Sequence, residues 1–272
     1  MMKKSRRSFL KVAGIAAIGL GASPAINFAS SDSQGTAHAV KNSEALQAHR
    51  WGMVIDTNKI TDEVAESIVE ACHKSHNVPN LNHEVNEEKF PKTRPVNHKQ
   101  EIKWIWEEEF HNAFPDKEDE FLAEKFHHLP FLVTCNHCKN APCVQACPTQ
   151  ATFKREDGIV LMDYHRCIGC RFCMAACPFG ARSFNFRDPR PFIEETDLDF
   201  PTRTKGVVEK CNFCAERLAK GEQPHCVEAS KGAIVVGDLE DPESEVRALL
   251  NEHYTIRRKQ SLGTEPSVYY VM

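Results

Sequence analysis

The 272-residue sequence predicts an α+β fold with many loops, and three features of it support that prediction. The segment "ATFKREDGIVLMD" alternates strand-forming residues on both sides of Asp157-Gly158, a common two-residue hairpin turn. In "TDEVAESIVEACHKS", Val64, Ile68 and Cys72 recur at i, i+4 and i+8, which predicts an amphipathic helix that Thr61 or Asp62 caps. Eleven of the 12 cysteines fall into three dense groups from residue 135 onward, which predicts loops between the helices and strands.

Two of the cysteine groups have the spacing of a bacterial ferredoxin. The second, "CIGCRFCMAACP", matches the run C-x2-C-x2-C-x3-C-P, and the first, "CNHCKNAPCVQACP", differs only in its second gap. Three close cysteines wrap one 4Fe-4S cubane, and the fourth points away to the other cluster. With the hairpin between them, the groups predict a compact two-cluster ferredoxin unit. The predicted ligands are Cys135, Cys138, Cys143 and Cys177 for cluster 1, and Cys147, Cys167, Cys170 and Cys173 for cluster 2.

Zinc and disulfides are the alternatives for these two groups. Zinc sites usually use two separated CxxC pairs, whereas here four cysteines crowd into 11 to 13 residues. Neighbouring disulfides need cysteine pairs aimed at one another, which such a loop does not favour. Asn136 and His137 lie inside the first loop, so we expect them to tune the potential of its cluster.

The third group is incomplete. It reads Cys211-x2-Cys214-x11-Cys226-x3-Ser230, with serine where a fourth cysteine would stand. Three thiolates leave one iron of a cubane without a ligand, so another part of the chain must complete it.

At this point the chain resembles a known family along essentially its whole length after the N-terminal segment. The family comprises the multi-cluster electron-transfer subunits of the dimethyl-sulfoxide, polysulfide and nitrite reductase systems. Besides the cysteine groups, the stretches that resemble it are "RWGMVID", "KWIW", "GVVEKCNFC" and "GTEPSVYYVM". The resemblance implies two ferredoxin-like units, one inserted in the other, with loop-rich extensions. The outer unit would span residues 40–134 and 201–272, and the inserted two-cluster unit residues 135–200.

The resemblance also implies a partner for the third group. In the family a further cysteine run follows the stretch like "RWGMVID", and here only its last cysteine remains, as Cys72. If the outer groups exchange their fourth cysteines, one outer cluster has lost all four ligands, including the one at Ser230. The other keeps Cys72, Cys211, Cys214 and Cys226, so we expect three 4Fe-4S clusters. The alternatives are that Cys72 is a buried core residue and that Ser230 gives an oxygen ligand to a fourth cluster.

The N-terminal segment predicts export. In residues 1–39, "SRRSFLK" resembles a twin-arginine signal, a short apolar run follows, and Ala37-His38-Ala39 fits a cleavage site, although the segment could instead stay attached as an anchor. The twin-arginine route carries folded proteins with cofactors installed, which fits thiolates bound to metal rather than disulfides. Five of the 34 basic and one of the 38 acidic side chains lie before residue 40, so the rest has a net charge of −8 and does not suit nucleic acid.

We find no nucleophile–base pair and no nucleotide-binding glycine loop, and therefore predict no catalytic residue. In the family the missing cluster is the one nearest a molybdopterin subunit, and the unit that holds cluster 2 faces the membrane partner. The resemblance therefore implies electron transfer between a quinone-reactive polytopic membrane subunit and a cytochrome c-type partner on the periplasmic side. This is similar to the iron–sulfur subunits of membrane complexes associated with dissimilatory sulfite reductase in sulfate respiration. The alternatives are a molybdopterin oxidoreductase acting on polysulfide or dimethyl sulfoxide, and a structural module whose clusters only staple the fold.

Overall fold

The structure is a computed structural model. It describes residues 42–82, 85, 97–118, 121, 124–127 and 129–272, without the side chains of residues 125 and 127. The predicted signal segment 1–39 and its cleavage site lie outside the described residues.

The described residues form short helices and strands joined by loops. The strands are β1 (Trp51–Asp56), β2 (Ile105–Glu108), β3 (Phe131–Thr134), β4 (Thr152–Lys154), β5 (Val160–Met162), β6 (Ser183–Phe184), β7 (Val208–Glu209), β8 (Ile234–Asp238), β9 (Thr255–Ile256) and β10 (Val268–Val271). The α-helices are α1 (Asp62–Ser75), α2 (Phe110–Ala113), α3 (Pro142–Gln145), α4 (Phe172–Ala176), α5 (Ala215–Leu218), α6 (His225–Ala229) and α7 (Glu245–Glu252). Short 3₁₀ helices span Thr57–Lys59, His98–Gln100, Glu124–His127, Arg190–Phe192 and Gln260–Leu262.

The largest sheet has four strands in the order β8-β1-β10-β9. Strand β1 pairs in parallel with β10 and antiparallel with β8, so it lies between strands from the end of the chain. Side chains of β1 alternate between two layers, as the strand period requires. Met53 and Ile55 lie in the same core as Ile68 of α1, whereas Val54 packs with Val246 of α7. Both faces of β1 are therefore covered.

Helix α1 forms as the sequence predicts, with Thr61 as its N-cap. The Thr61 Oγ1 accepts a hydrogen bond from the backbone N–H of Val64 at 3.4 Å. Acidic residues in the first turn and basic residues in the last turn interact favourably with the helix dipole and so stabilise the helix. Ile68 and Cys72 are buried on the predicted apolar face. The helix thereby presents one thiol to the interior.

The predicted hairpin is present, but its turn is longer than expected. Strands β4 and β5 pair antiparallel, and the backbone N–H of Arg155 also donates to the carbonyl of Ile159 at 2.9 Å. Three residues, 156–158, therefore form the turn, with Gly158 at φ +86° in the left-handed region. The Asp157 carbonyl accepts a hydrogen bond from the Trp51 N–H at 3.0 Å, which fixes the hairpin tip against β1.

A buried ion pair connects segments that lie far apart in the sequence. Arg203 and Glu209 meet at 2.6 Å with both side chains fully buried. The indole N–H of Trp104 donates to the same carboxylate at 3.1 Å, and the Asn185 amide also donates to Glu209. Arg203 donates in turn to the carbonyl of Asn77 at 2.8 Å, just after α1. The pair therefore secures the C-terminal end of α1.

The helices and small, mostly antiparallel sheets give the mixed α and β structure that the sequence predicts. Residues Asn42–Met272 form one compact unit. Its division into outer parts, 40–134 and 201–272, and an inserted part, 135–200, stays a prediction. Among the described residues, none of the helices combines the length and the apolar character needed to cross a membrane.

Candidate iron–sulfur site

The cysteine loops bend through residues with left-handed backbone conformations. Gly169 and Arg171 of the second group have φ values of +70° and +65°, and His137 of the first group has +41°. In the third group Phe213 and Cys214 lie at +63° and +47°. Such conformations turn backbone N–H groups toward the cysteine sulfurs. The N–H of Phe213, for example, donates to the Cys211 Sγ at 3.4 Å.

The structure brings the 12 cysteines together as three sets of four, and none forms a disulfide. The first set is Cys135, Cys138, Cys143 and Cys177; the second is Cys147, Cys167, Cys170 and Cys173; the third is Cys72, Cys211, Cys214 and Cys226. All members of the second set line one cavity, and all members of the third set line another. The members of the first set are close enough to interact electrostatically. That each set binds one cluster remains a prediction.

Burial and mutual repulsion raise the pKa of several of these thiols. Burial raises the pKa of Cys138 to about 12, and the other three members of the first set contribute to the rise. The pKa of Cys72 is raised well above its usual range, first by burial and then by electrostatic repulsion from the other three members of its set, Cys211, Cys214 and Cys226. A bound metal ion would reverse this, because a coordinating thiol is deprotonated.

The cavity lined by the third cysteine set suits a sulfur-ligated group. Four sulfurs converge among largely apolar neighbours, including Met53, Trp104 and Phe213. A set of four soft sulfur donors is typical of iron–sulfur or zinc sites, and the spacing of the first two groups favours iron–sulfur. The residues present therefore fit a 4Fe-4S cluster in each set.

Gly169 gives a direct test of how tightly the second cysteine loop is packed. A Cβ at this position would lie 2.3 Å from the carbonyl oxygen of Gly206, a backbone atom that cannot rotate away. A Cβ at Gly180, which has a similar φ of +65°, would meet no heavy atom within 4 Å. We expect Gly180→Ala to cost only the left-handed conformation, about 1–2 kcal/mol. Gly169→Ala should cost about 1–3 kcal/mol more, because of the clash.

Thermal unfolding of the two variants, with iron content measured alongside, checks this expectation. Equal midpoints would contradict it, since the conformational penalty is the same at both positions and only the contact with Gly206 differs.

His76 and Glu216 belong to the surroundings of the third set, and sequence reasoning missed both. His76 is 1% exposed, and its Nδ1 donates to the Cys72 carbonyl at 2.8 Å. Its Nε2 lies 3.0 Å from a Glu216 oxygen and 3.6 Å from the Cys214 sulfur. Burial would raise the pKa of Glu216, but the hydrogen bond and charge of His76 hold it below its usual range. The available signal was the i, i+4 spacing of Cys72, in α1, and His76, the residue that follows the last turn of α1.

The three sets are neighbours in a defined order. Cys143 of the first set interacts with Cys173 of the second. On the other side, Cys135 of the first set interacts with Cys211 of the third. Lys210 lies at this second contact: it is 1% exposed, and its ammonium donates to the carbonyls of Val160 and, at 2.6 Å, of Cys211. The first set is therefore the middle one.

Comparison with known proteins agrees with this chemistry. Residues 127–189 match the family described as 4Fe-4S dicluster domain. The chain is 40% identical to the Hdr-like menaquinol oxidoreductase iron-sulfur subunit 1 of Archaeoglobus fulgidus, over 98% of this chain and 97% of the relative. It is 35% identical to the menaquinone reductase iron-sulfur cluster-binding subunit of Nitratidesulfovibrio vulgaris, over 82% of this chain and 88% of that relative. The B subunit of polysulfide reductase from Wolinella succinogenes is 40% identical over 51% of this protein and 64% of its own length.

The cysteine sets and these similarities define an iron–sulfur protein that acts as an electron-transfer subunit. This protein belongs to the 4Fe-4S iron–sulfur subunit family of the Hdr-like menaquinol oxidoreductase and dimethyl-sulfoxide/polysulfide reductase type. The resemblance seen in the sequence is thereby confirmed at the level of the family.

Proposed function

We propose that this chain relays single electrons through three 4Fe-4S clusters between a quinone-reactive membrane subunit and a cytochrome c-type partner. When bound, each cluster accepts and releases one electron, and the chain fixes the order and the surroundings of the clusters. The proposed ligands are the three cysteine sets, with Cys72 as the fourth ligand of the third cluster. The process would belong to sulfur or sulfite metabolism, as in complexes associated with dissimilatory sulfite reductase.

The observation that supports this proposal most is the way the 12 cysteines divide. Each joins one of three sets of four, so no set is short of a ligand and no cysteine is left over. Ser230, where a fourth set would need a ligand, uses its hydroxyl within the fold: it donates to the Val227 carbonyl at 2.7 Å and accepts from the Ile234 N–H at 3.0 Å. This favours three clusters over four.

Quinone chemistry is favoured by two relatives that align over most of this chain, because the names of both refer to menaquinol or menaquinone. The alternative is a molybdopterin catalytic partner. It is favoured by the similarity to the B subunit of polysulfide reductase, although that similarity covers only about half of this protein.

A metal and haem inventory of the native complex, purified anaerobically through this subunit, distinguishes the two partners. We expect haem c and no molybdenum. Stoichiometric molybdenum without haem c would overturn the proposed partner and establish the alternative. A redox titration of the same preparation tests the relay itself. Clusters that only stabilise the fold would not change oxidation state within the range of reduction potentials that quinones and cytochromes cover.

We further propose that the chain works on the periplasmic side of the cytoplasmic membrane, after export by the twin-arginine route, and that partner subunits hold it at the membrane. The reason is the "SRRSFLK" stretch with the apolar run that follows it. Replacing Arg6 and Arg7 by lysine should leave the protein in the cytoplasm, as fractionation would show. Unchanged export of that variant would contradict the proposed route.

A further inference from the structure

We propose that two buried side chains, His137 and Arg182, are shared hydrogen-bond donors at the two contacts between neighbouring clusters. Each would set the reduction potentials of two clusters together: His137 those of the first and third, Arg182 those of the first and second. Both act as positioning residues, since neither is a ligand. The inference rests on the proposed function, because it requires a cluster in each cysteine set.

The protonation of His137 follows from its hydrogen bonds. The ring is 2% exposed, and its Nδ1 lies 3.0 Å from the backbone nitrogen of Val160. Because that backbone group can only donate, Nδ1 is the acceptor, and the ring carries a proton on Nε2. An edge-on contact with Phe213, with ring centroids 5.1 Å apart, helps to fix the ring plane. The direction of the Nε2–H group is therefore set by the fold.

That Nε2–H group belongs to a ring at the contact between two cysteine sets. The nitrogen is buried and has no hydrogen-bond partner in the part of the chain that the structure describes. The ring interacts with Cys135 of the first set, with Cys211 of the third set and with Lys210. A buried donor without a partner calls for an explanation, and thiolates bound to iron would supply the acceptors on both sides.

Arg182 occupies the equivalent position at the other contact. Its side chain is buried, and Nη1 donates to the Thr152 hydroxyl at 3.2 Å and to the Met162 sulfur at 3.1 Å. Its Nη2 is buried without a partner among the described residues. The guanidinium interacts with Cys143 of the first set and Cys173 of the second. At each contact between sets, one buried ring or guanidinium nitrogen thus has no hydrogen-bond partner among the described residues.

Such donors change potentials in a predictable direction. An N–H group directed at a cysteine sulfur stabilises the reduced cluster, which carries the additional negative charge, and so raises the potential. The effect is large where water is excluded, because the local dielectric constant is low. The first cluster lies next to both donors.

Redox titration of the purified native complex, followed by electron paramagnetic resonance, tests the proposal. His137→Leu should lower the potentials of the first and third clusters and leave the second unchanged. Arg182→Met should lower the potentials of the first and second clusters and leave that of the third cluster unchanged. Each variant is therefore the control for the other. At the wild-type midpoint we expect about a three- to tenfold fall in the ratio of reduced to oxidised cluster. A tenfold fall equals about 59 mV for a one-electron couple. The paramagnetic resonance signal that Cys72→Ser loses is assigned to the third cluster.

His137→Gln, which keeps an N–H donor, should restore much of both potentials, and iron content shows whether each variant has kept its clusters. If His137→Leu loses iron, wild-type protein labelled with ¹⁵N in its histidine rings gives the answer. Pulsed resonance of the first cluster should then show coupling to a ring nitrogen, and absence of that coupling overturns the proposal. A shift at one cluster alone, or equal potentials in His137→Leu and wild type, also overturns it. Failure of the proposed function is seen separately, as fewer than three redox-active clusters in the wild type.

Discussion

Replacing Cys72 by serine should reduce the iron content of this chain from about 12 to about eight atoms, four for each cubane that remains. Cys72 is 5% exposed on α1 and lines the same cavity as Cys211, Cys214 and Cys226. A serine hydroxyl fits the space but is a far poorer ligand than a thiolate, since it ionises much less readily. Iron and sulfide analysis of the anaerobically purified chain measures the loss, and the other two clusters should keep their signals.

Ser230→Cys is the matched control, because it adds a thiol at the position where a lost fourth cluster would have had one. Ser230 is 1% exposed, and its hydroxyl already bonds to two backbone groups. The variant should therefore still hold about 12 irons. Two results would contradict these assignments: about 12 irons in Cys72→Ser, which would make Cys72 a core residue, or a rise toward about 16 in Ser230→Cys.

Replacing Glu209 by leucine should destabilise the fold by about 3–5 kcal/mol, the usual cost of leaving one charge of a buried pair without its partner. Arg203 would then lie fully buried with no carboxylate, and Trp104 would lose the acceptor of its indole N–H. For a domain of this size, the expected fall in the thermal midpoint is about 6–20 °C. The midpoint is measured by circular dichroism under anaerobic conditions at one fixed scan rate.

An exposed ion pair provides the comparison. Lys74 and Glu195 meet at 3.2 Å with side chains that are 64% and 76% exposed. Glu195→Gln should therefore change stability by no more than about 1 kcal/mol. The double variant Arg203→Met with Glu209→Leu should recover part of the loss, because it removes the orphaned charge as well. Equal effects of Glu209→Leu and Glu195→Gln would contradict a structural role for the buried pair.

Local patterns predicted the local structure well. The apolar spacing of "TDEVAESIVEACHKS" predicted α1, its cap and the buried side of Cys72, because a helix depends mainly on neighbours within one turn. The hairpin was also correctly placed. Its turn was wrong by one residue, since Gly158 lies at φ +86° in a three-residue turn that also contacts β1 through Asp157. That contact involves Trp51, more than 100 residues away, and no local pattern contains it.

The surroundings of the cysteines were harder to predict. His76 stands in a polar stretch with several other histidines, and only the fold brings it to Cys214 and Glu216. The pair formed by Arg203 and Glu209 was missed for the same reason, because nothing in the sequence distinguishes a charged residue that will be buried from an exposed one. The grouping of Cys72 with the third set came from a family resemblance, and spacing alone left a core cysteine equally open.

The position of β1 has a consequence for the order in which the molecule can be assembled. Its hydrogen-bonded neighbours, β8 and β10, lie about 180 and 215 residues further along the chain, so the sheet cannot close until translation is nearly complete. The third cysteine set has the same long span, from Cys72 to Cys226, whereas the first two sets are complete once Cys177 has been made. The cysteines of the middle segment are therefore all present before those of the third set. The third set can assemble only after Cys226 has been made, and therefore later than the other two.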